Sequence, residues 1–414
     1  MKMEQDLDRI KQTIENRAEE VQELCQKISD YIFCNPELGG EEFLSSRYLA
    51  DVLKEQGFQV DFPYESLPTA FMARYTPPEW DITIAFLAEY DALPGFGKDG
   101  GPGHACGHNW IAASMCGCAM ALSAACEALR CRVFVIGTPA EETFGAKADL
   151  IRLGAFDEVD FAMQAHLDEF TSIEAKALAM NSIEFDFHGV AAHAAQSPER
   201  GVNALDAVIS MFNSVNAMRQ HVKQEARMHG IITKGGEATN IVPDFAQCQF
   251  SIRAEEKGYL KELRRRLLNI AEAAALSTGA GLEYRDFENA YDDMINVPAF
   301  TGACREEFEK LGVSGFIPEE EYPGAGSSDI GNVSYVCPTI YLEIALQSDA
   351  DVIVHDQSAM DTVNSQDAWD LMATVIRAFS FTAARIASDP ELQTSIKAQH
   401  SALRDKRLSP GKKH

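Results

Sequence analysis

The chain has 414 residues, 46% of them hydrophobic and 24% charged, which suits a globular protein and argues against wholesale disorder. That length exceeds one ordinary core and predicts two domains. The formal net charge of −27 disfavours nucleic acid or an anionic membrane as the main partner.

The opening residues, Met1 to Asp8, are charged and lack the apolar run of a signal peptide. No stretch approaches the ~20 apolar residues of a membrane span, so no transmembrane segment is expected, and the scattered cysteines, read as reduced thiols, lead to the expectation of a cytoplasmic location. Ten cysteines without a regular framework read as reduced thiols, mostly packing residues. Ile10, Ile14, Val21, Leu24, Ile28 and Ile32 fall near helical spacing and predict an amphipathic helix over about 5–33. Asn35-Pro36 breaks it, and helical patterning resumes from Glu41 to Gln56. The apolar runs at 82–87 and 133–136 are β-branched-rich and suit buried parallel strands. Between them the Ala-rich segment from Trp110 to Leu129 reads as a helix, which makes a βαβ unit.

Residues 182–187 and 247–253 alternate, as half-exposed antiparallel strands do. With helical stretches near 203–224 and 256–277 they make an α+β unit. The expectation is an α/β domain with a mostly parallel sheet, 1–179 and 293–414, interrupted by a smaller α+β domain at 180–292. The α/β pattern returns at 339–342 and in a helix over about 365–387. The last twenty residues, ending at Ser409 to His414, read as frayed.

The densest chemical signal is AEYDALP at 88–94, then a glycine-rich loop, then GHACGHN at 103–109. It follows a strand, and the carboxyl ends of parallel strands are where α/β sheets build sites. Cys106 and His108 are good ligand types for zinc or a related divalent ion. The bland alternative is a thiol and histidines satisfied by local hydrogen bonds. The second strand ends in GTPAEE at 137–142, where two adjacent carboxylates can divide metal ligation and proton transfer, or sit in a solvated loop. A third apolar segment, 159–165, delivers His166.

Taken together, AEYDALP, GHACGHN, GTPAEE, the Ala-His at 165–166, GVAAHAA at 189–195, HGIITKGG and TNIVPD over 229–244, and GSSDIGNVSYVCPT at 326–339 resemble the dinuclear zinc peptidase family of aminoacylases and glutamate carboxypeptidase. The resemblance is strongest to its amidohydrolase branch of hippurate, auxin-conjugate and p-aminobenzoyl-glutamate hydrolases. It implies a catalytic α/β domain and an inserted lid through which two chains form a homodimer. It further implies Cys106, His108, Glu142, His166 and His355 as ligands to two divalent ions, zinc or manganese. Glu141 would be the general base, Asp91 would orient a ligand, and His193 would reach the partner's scissile carbonyl. Asn240 and Arg253 match lid positions near a substrate carboxylate, and Gly326 and Ser327 a substrate-facing loop of the catalytic domain. His104 is expected to face its loop and stays outside the ligand set.

Two departures concern the substrate side. After Glu142 the family runs through several glycines, whereas this chain has Thr143-Phe-Gly-Ala-Lys147, and Leu167-Asp168 follows His166. The implied function is hydrolysis of the amide bond of a small-molecule N-acyl or aromatic N-acyl amino acid or a dipeptide. The alternatives are cleavage of another C–N bond, such as an amino group on an aromatic ring, and a catalytically dead metal-stabilised binder.

Overall fold

The computed structural model describes residues 2–318, 321–322, 326–348 and 352–408. Its strands are β1 Gln59–Asp61, β2 Phe71–Tyr75, β3 Ile82–Ala88, β4 Cys131–Gly137, β5 Phe161–Leu167, β6 Ala179–His188, β7 Arg227–Lys234, β8 Phe245–Ala254, β9 Gly281–Asp286 and β10 Thr339–Ile344. They form two sheets, one in the order β1-β2-β4-β3-β5-β10 and the other β7-β8-β6-β9. The chain divides into two compact units. The first holds Met1–Lys176, Met294–Ala325 and Asp329–Arg404; the second holds Ala177–Asp293, Gly326–Ser328 and residues from Asp405 on. Among the described residues no helix is long and apolar enough to cross a membrane.

In the first unit β4, β3, β5 and β10 run parallel, while β2 joins β4 antiparallel and carries β1 outward. Every residue of β3, β4, β5 and β10 is buried, because helices cover both faces. That is why these strands read as continuous apolar runs rather than alternating ones. The helix His108–Ser123 crosses from β3 to β4 and is buried around nearly its whole circumference. The long first helix, Lys2–Cys34, turns Ile14, Ala18, Val21, Cys25, Ile28 and Ile32 into the core. It ends just before Asn35-Pro36, since a residue preceding proline is pushed out of the helical region. Gly117 permits the tight packing here: a Cβ on it would lie 2.4 Å from Ile376 and 2.8 Å from the Cys25 sulfur.

The structure corrects several boundaries. The segment Trp110 to Leu129 is two helices, the second only Cys126–Leu129. The stretch near 203–224 is a helix over Ala204–Met218 followed by one 3₁₀ turn, Arg219–His221. The C-terminal stretch is not frayed through 408 but forms the helix Pro390–Leu408. Few apolar residues mark that helix, yet Ile396 is fully buried and His400 bonds the Ser334 carbonyl at 2.7 Å. Residues 409–414 lie outside the described residues.

The second unit is an antiparallel four-stranded sheet backed by the helices Ala204–Met218 and Lys257–Thr278. In β8 every second residue is buried, and Ala246, Cys248, Phe250, Ile252 and Ala254 face the helices. The first helix starts at an Asn203 cap, whose side chain accepts from the Leu205 and Asp206 amides.

Candidate metal centre

The carboxyl ends of the parallel strands bring the chemistry of the first unit together. Glu89 and Asp91 follow β3, Glu141 and Glu142 follow β4, and His166 sits near the end of β5. Gly107, in the left-handed region at φ 76°, turns the chain so that His108 becomes the first residue of the central helix. His355 arrives from a later loop, itself left-handed at φ 61°, and its N–H donates to the Ala105 carbonyl at 2.9 Å.

Two histidines are set by hydrogen bonds on the side away from the centre. His108 Nδ1 donates to Asp91 Oδ1 at 2.9 Å, and His166 Nδ1 donates to the Leu167 carbonyl at 2.6 Å. Each therefore turns an Nε2 lone pair inward, as ligating histidines do when a carboxylate or carbonyl holds the other nitrogen. His166 Nε2 lies 3.3 Å from Cys106 Sγ, and His355 Nε2 lies 3.1 Å from Glu142 Oε1. His108 Nε2 is buried and has no hydrogen-bond partner among the described residues, while Glu142 Oε1 stands 3.8 Å away.

The donors fall into overlapping groups whose ligand atoms lie within 4.8 Å of one another: Cys106, His108 and His166; Cys106, Glu142 and His355; and His108, Glu141 and Glu142. A thiol, imidazoles and carboxylates gathered this way fit divalent cations. The electrostatics agree. Burial lowers the basicity of His108, but Asp91, Glu89 and Glu142 override it and raise the ring to about 10. Burial and the nearby Glu142 push the Cys106 thiol up strongly. Burial alone would raise Glu142, yet His355 and His108 bring it down to about 2. Positive charge is what this cluster of carboxylates and thiol favours. Glu141 is raised well above the carboxylate range by burial and then by Glu142.

Asp91 does more than orient His108, since its Oδ2 accepts the Glu142 amide at 2.9 Å. His104, left outside the ligand set, is buried, and burial lowers its pKa to about 3.

Beside these donors lies a buried ion cluster that no sequence motif announced. Lys147 is completely buried, and its ammonium reaches Glu89 Oε1 at 2.5 Å and Asp329 Oδ1. Its amide donates to Asp329 Oδ2 at 3.0 Å. Carboxylate oxygens of Glu89, Glu141 and Asp329 lie within 4.8 Å of one another. Glu89 stands in AEYDALP and Asp329 in GSSDIGNVSYVCPT, and that was the available signal.

The remaining expected residues lie in the second unit. His193 is exposed, and its Nδ1 accepts the Gln196 amide at 3.1 Å. In the neutral ring the proton therefore sits on Nε2, which is a donor. Asn240 is a neighbour, because its carbonyl accepts the Ala194 amide at 3.0 Å. Arg253 Nη1 donates to Ser327 Oγ at 3.1 Å, and its buried Nε has no hydrogen-bond partner among the described residues. Gly326 accepts the Leu178 amide at 2.8 Å. Gly326 and Ser327 thus belong with the second unit, not with the catalytic sheet, because the backbone and Arg253 tie them there.

Parallel-strand ends that gather soft and hard metal donors beside a buried pair of carboxylates define a metal-dependent hydrolase. Over 408 residues the chain is 33% identical to the Xaa-Arg dipeptidase of Mus musculus, covering 95% of this chain and 93% of the relative. It is also 33% identical over 308 residues to a subunit of the p-aminobenzoyl-glutamate hydrolase of Escherichia coli, covering 71% of this chain and 63% of that one. Residues 174–278 match the peptidase dimerisation domain. A solved Bacillus subtilis structure, the YXEP protein, described as a dinuclear metal binding peptidase from the M20 family, superposes with a TM-score of 0.65 at 19% identity, over 89% of this chain and 99% of its own. The chain belongs to the M20 peptidase family, and it is a metal-dependent hydrolase of amide bonds.

Proposed function

We propose that this chain is a two-metal dipeptidase, with Cys106, His108, Glu142, His166 and His355 holding two zinc or manganese ions. The observation that carries the two-ion reading is that the donor groups overlap: Cys106, His108 and Glu142 each belong to two of them. The dipeptide preference is supported by the full-length similarity to a dipeptidase, which spans more of the chain than the match to the p-aminobenzoyl-glutamate enzyme. Bound divalent ions supply Lewis-acid polarisation and lower the pKa of water.

The side chains do the rest. Glu141 takes the proton from the attacking water and returns it to the leaving nitrogen. Asp91 fixes the His108 tautomer and the Glu142 peptide together. Arg253 receives a substrate carboxylate through its guanidinium, with Asn240, Gly326 and Ser327 beside that group. His193 offers its Nε2 proton to the developing oxyanion in the partner subunit of a homodimer.

A substrate panel tests the reading. Purified protein loaded with Zn²⁺ or Mn²⁺ is given dipeptides ending in arginine or lysine, neutral dipeptides, N-acyl amino acids and p-aminobenzoyl-glutamate. Dipeptides are expected to turn over fastest; a preference for p-aminobenzoyl-glutamate or N-acyl substrates would reject the dipeptidase assignment.

Subunit mixing tests the shared site. Glu141→Ala dimers and His193→Ala dimers are each expected to be inactive. After random exchange about half the dimers are mixed, each with one intact site of two, so activity is expected to recover to about a quarter of wild type. No recovery, with exchange verified by native mass spectrometry, would place His193 in the service of its own chain.

A further inference from the structure

The peptide that precedes the Glu141-Glu142 pair is in an unusual conformation. Ala140 is fully buried and adopts φ 61°, the left-handed region that non-glycine residues avoid. Such a conformation persists only where surrounding bonds hold it. Here the Ala140 N–H donates to Glu42 Oε1 at 2.7 Å, and the Ala140 carbonyl accepts the Gly145 amide at 2.9 Å.

Glu42 comes from a distant part of the chain and is itself fully buried. It occupies the N-cap position of the helix Phe43–Glu55, where an acidic side chain would ordinarily accept that helix's own first amides. It does not do so. Glu37 takes that role, accepting the Leu44 amide at 2.9 Å and the Ser45 amide at 2.8 Å. The Glu42 carboxylate is thereby released to reach across to Ala140. On the other side of Glu141, the Glu142 amide is held by Asp91 Oδ2 at 2.9 Å. The two peptide N–H groups flanking Glu141 are thus each fixed by a buried carboxylate, one from the loop before the second helix and one from the end of β3.

We propose that Glu42 is a positioning residue for Glu141: by accepting the Ala140 N–H it holds the left-handed turn that aims the Glu141 carboxylate. The proposal rests on Glu141 as the general base. The role depends on the length of the side chain rather than on its charge, because an amide oxygen accepts an N–H as a carboxylate oxygen does.

Two conservative variants separate length from charge. Glu42→Gln keeps the reach and loses the charge, and its kcat on the best-cleaved amide is expected to stay within about threefold of wild type. Glu42→Asp keeps the charge and is one methylene short; its kcat is expected to fall about 10- to 100-fold, the scale of a small misplacement of a catalytic group, with KM and bound metal unchanged. Hydrogen exchange of the peptide containing Ala140 should quicken in Glu42→Asp and not in Glu42→Gln. Ala140→Gly in the Glu42→Asp background should restore part of the kcat, since glycine adopts the left-handed turn without a holding bond.

The opposite order, with Glu42→Asp active and unaltered in exchange and Glu42→Gln impaired, would overturn the proposal in favour of a charge effect. Wild-type kcat and exchange in both variants would overturn it outright. Glu141→Gln is measured alongside: if that variant keeps full activity, it is the reading of Glu141 as base that fails.

Discussion

Glu141→Gln is expected to retain its metal and lose activity by a factor of about 10² to 10⁴, the usual size of a general acid–base contribution. Glu142→Gln is expected to lose activity because it loses metal. The asymmetry follows from surroundings rather than sequence position. Glu142 lies against His355 and His108, which hold its carboxylate ionised at about 2 despite burial. Glu141 is raised by burial and by three neighbouring carboxylates, Glu142, Glu89 and Asp329, so of the pair it is the one with the greater affinity for a proton. Elemental analysis and steady-state kinetics on the two variants check the division of labour. Equal metal loss in both would show that the carboxylates share the metal and that no dedicated base exists at this position.

Lys147→Met is expected to destabilise the first unit by about 3–5 kcal/mol, because it strands buried carboxylates that were paired. The ammonium is completely buried; burial lowers its basicity, but Asp329, Glu89 and Glu141 raise it further, so it keeps its proton. Urea unfolding of the purified variant measures the loss. The triple variant Glu89→Gln, Lys147→Met and Asp329→Asn removes all three charges together and is expected to recover most of that stability, since neutral groups do not carry an ion's desolvation cost. A single variant as stable as wild type would mean that the two carboxylates simply take up protons at little cost.

The departure after Glu142, from a glycine run to Thr143-Phe-Gly-Ala-Lys147, acquires a physical meaning here. Thr143 and Phe144 lie against the loop before the second helix: a Cβ on Gly39 would meet the Thr143 hydroxyl at 2.4 Å, and one on Gly40 would meet the Phe144 ring at 3.1 Å. That loop carries Glu42, so the substituted turn and the residue that holds Ala140 are packed as one piece.

How far the sequence could be read follows from where each element finds its stabilisation. Strands β3, β4, β5 and β10 are buried on both faces, so their apolar runs announced them. β7 and β9 went unread because they are edge strands with mostly exposed side chains, held by backbone bonds to β8 and β6 that no residue pattern reveals. The C-terminal helix reads as a frayed tail for a similar reason: two buried side chains, Ile396 and His400, anchor its nineteen residues.

In the site, Cys106 and His108 were visible because two ligand types stand two residues apart after a strand, and the paired Glu141 and Glu142 end another. The local order of residues determined these placements, since a strand's carboxyl end and the helix that follows are set by short-range pattern. Glu42, Glu89, Lys147 and Asp329 could not be distinguished in the same way. In sequence each is an ordinary charged residue of the kind that covers surfaces, and the partners that make burial tolerable lie 98 residues from Glu42 and 58 and 182 from Lys147. Only the folded chain brings those partners within hydrogen-bond distance. A buried charge is stabilised by where its counter-charge ends up, and that is decided by the packing of β3, the turn after β4 and the helix Ile330–Val336 rather than by any local run of residues.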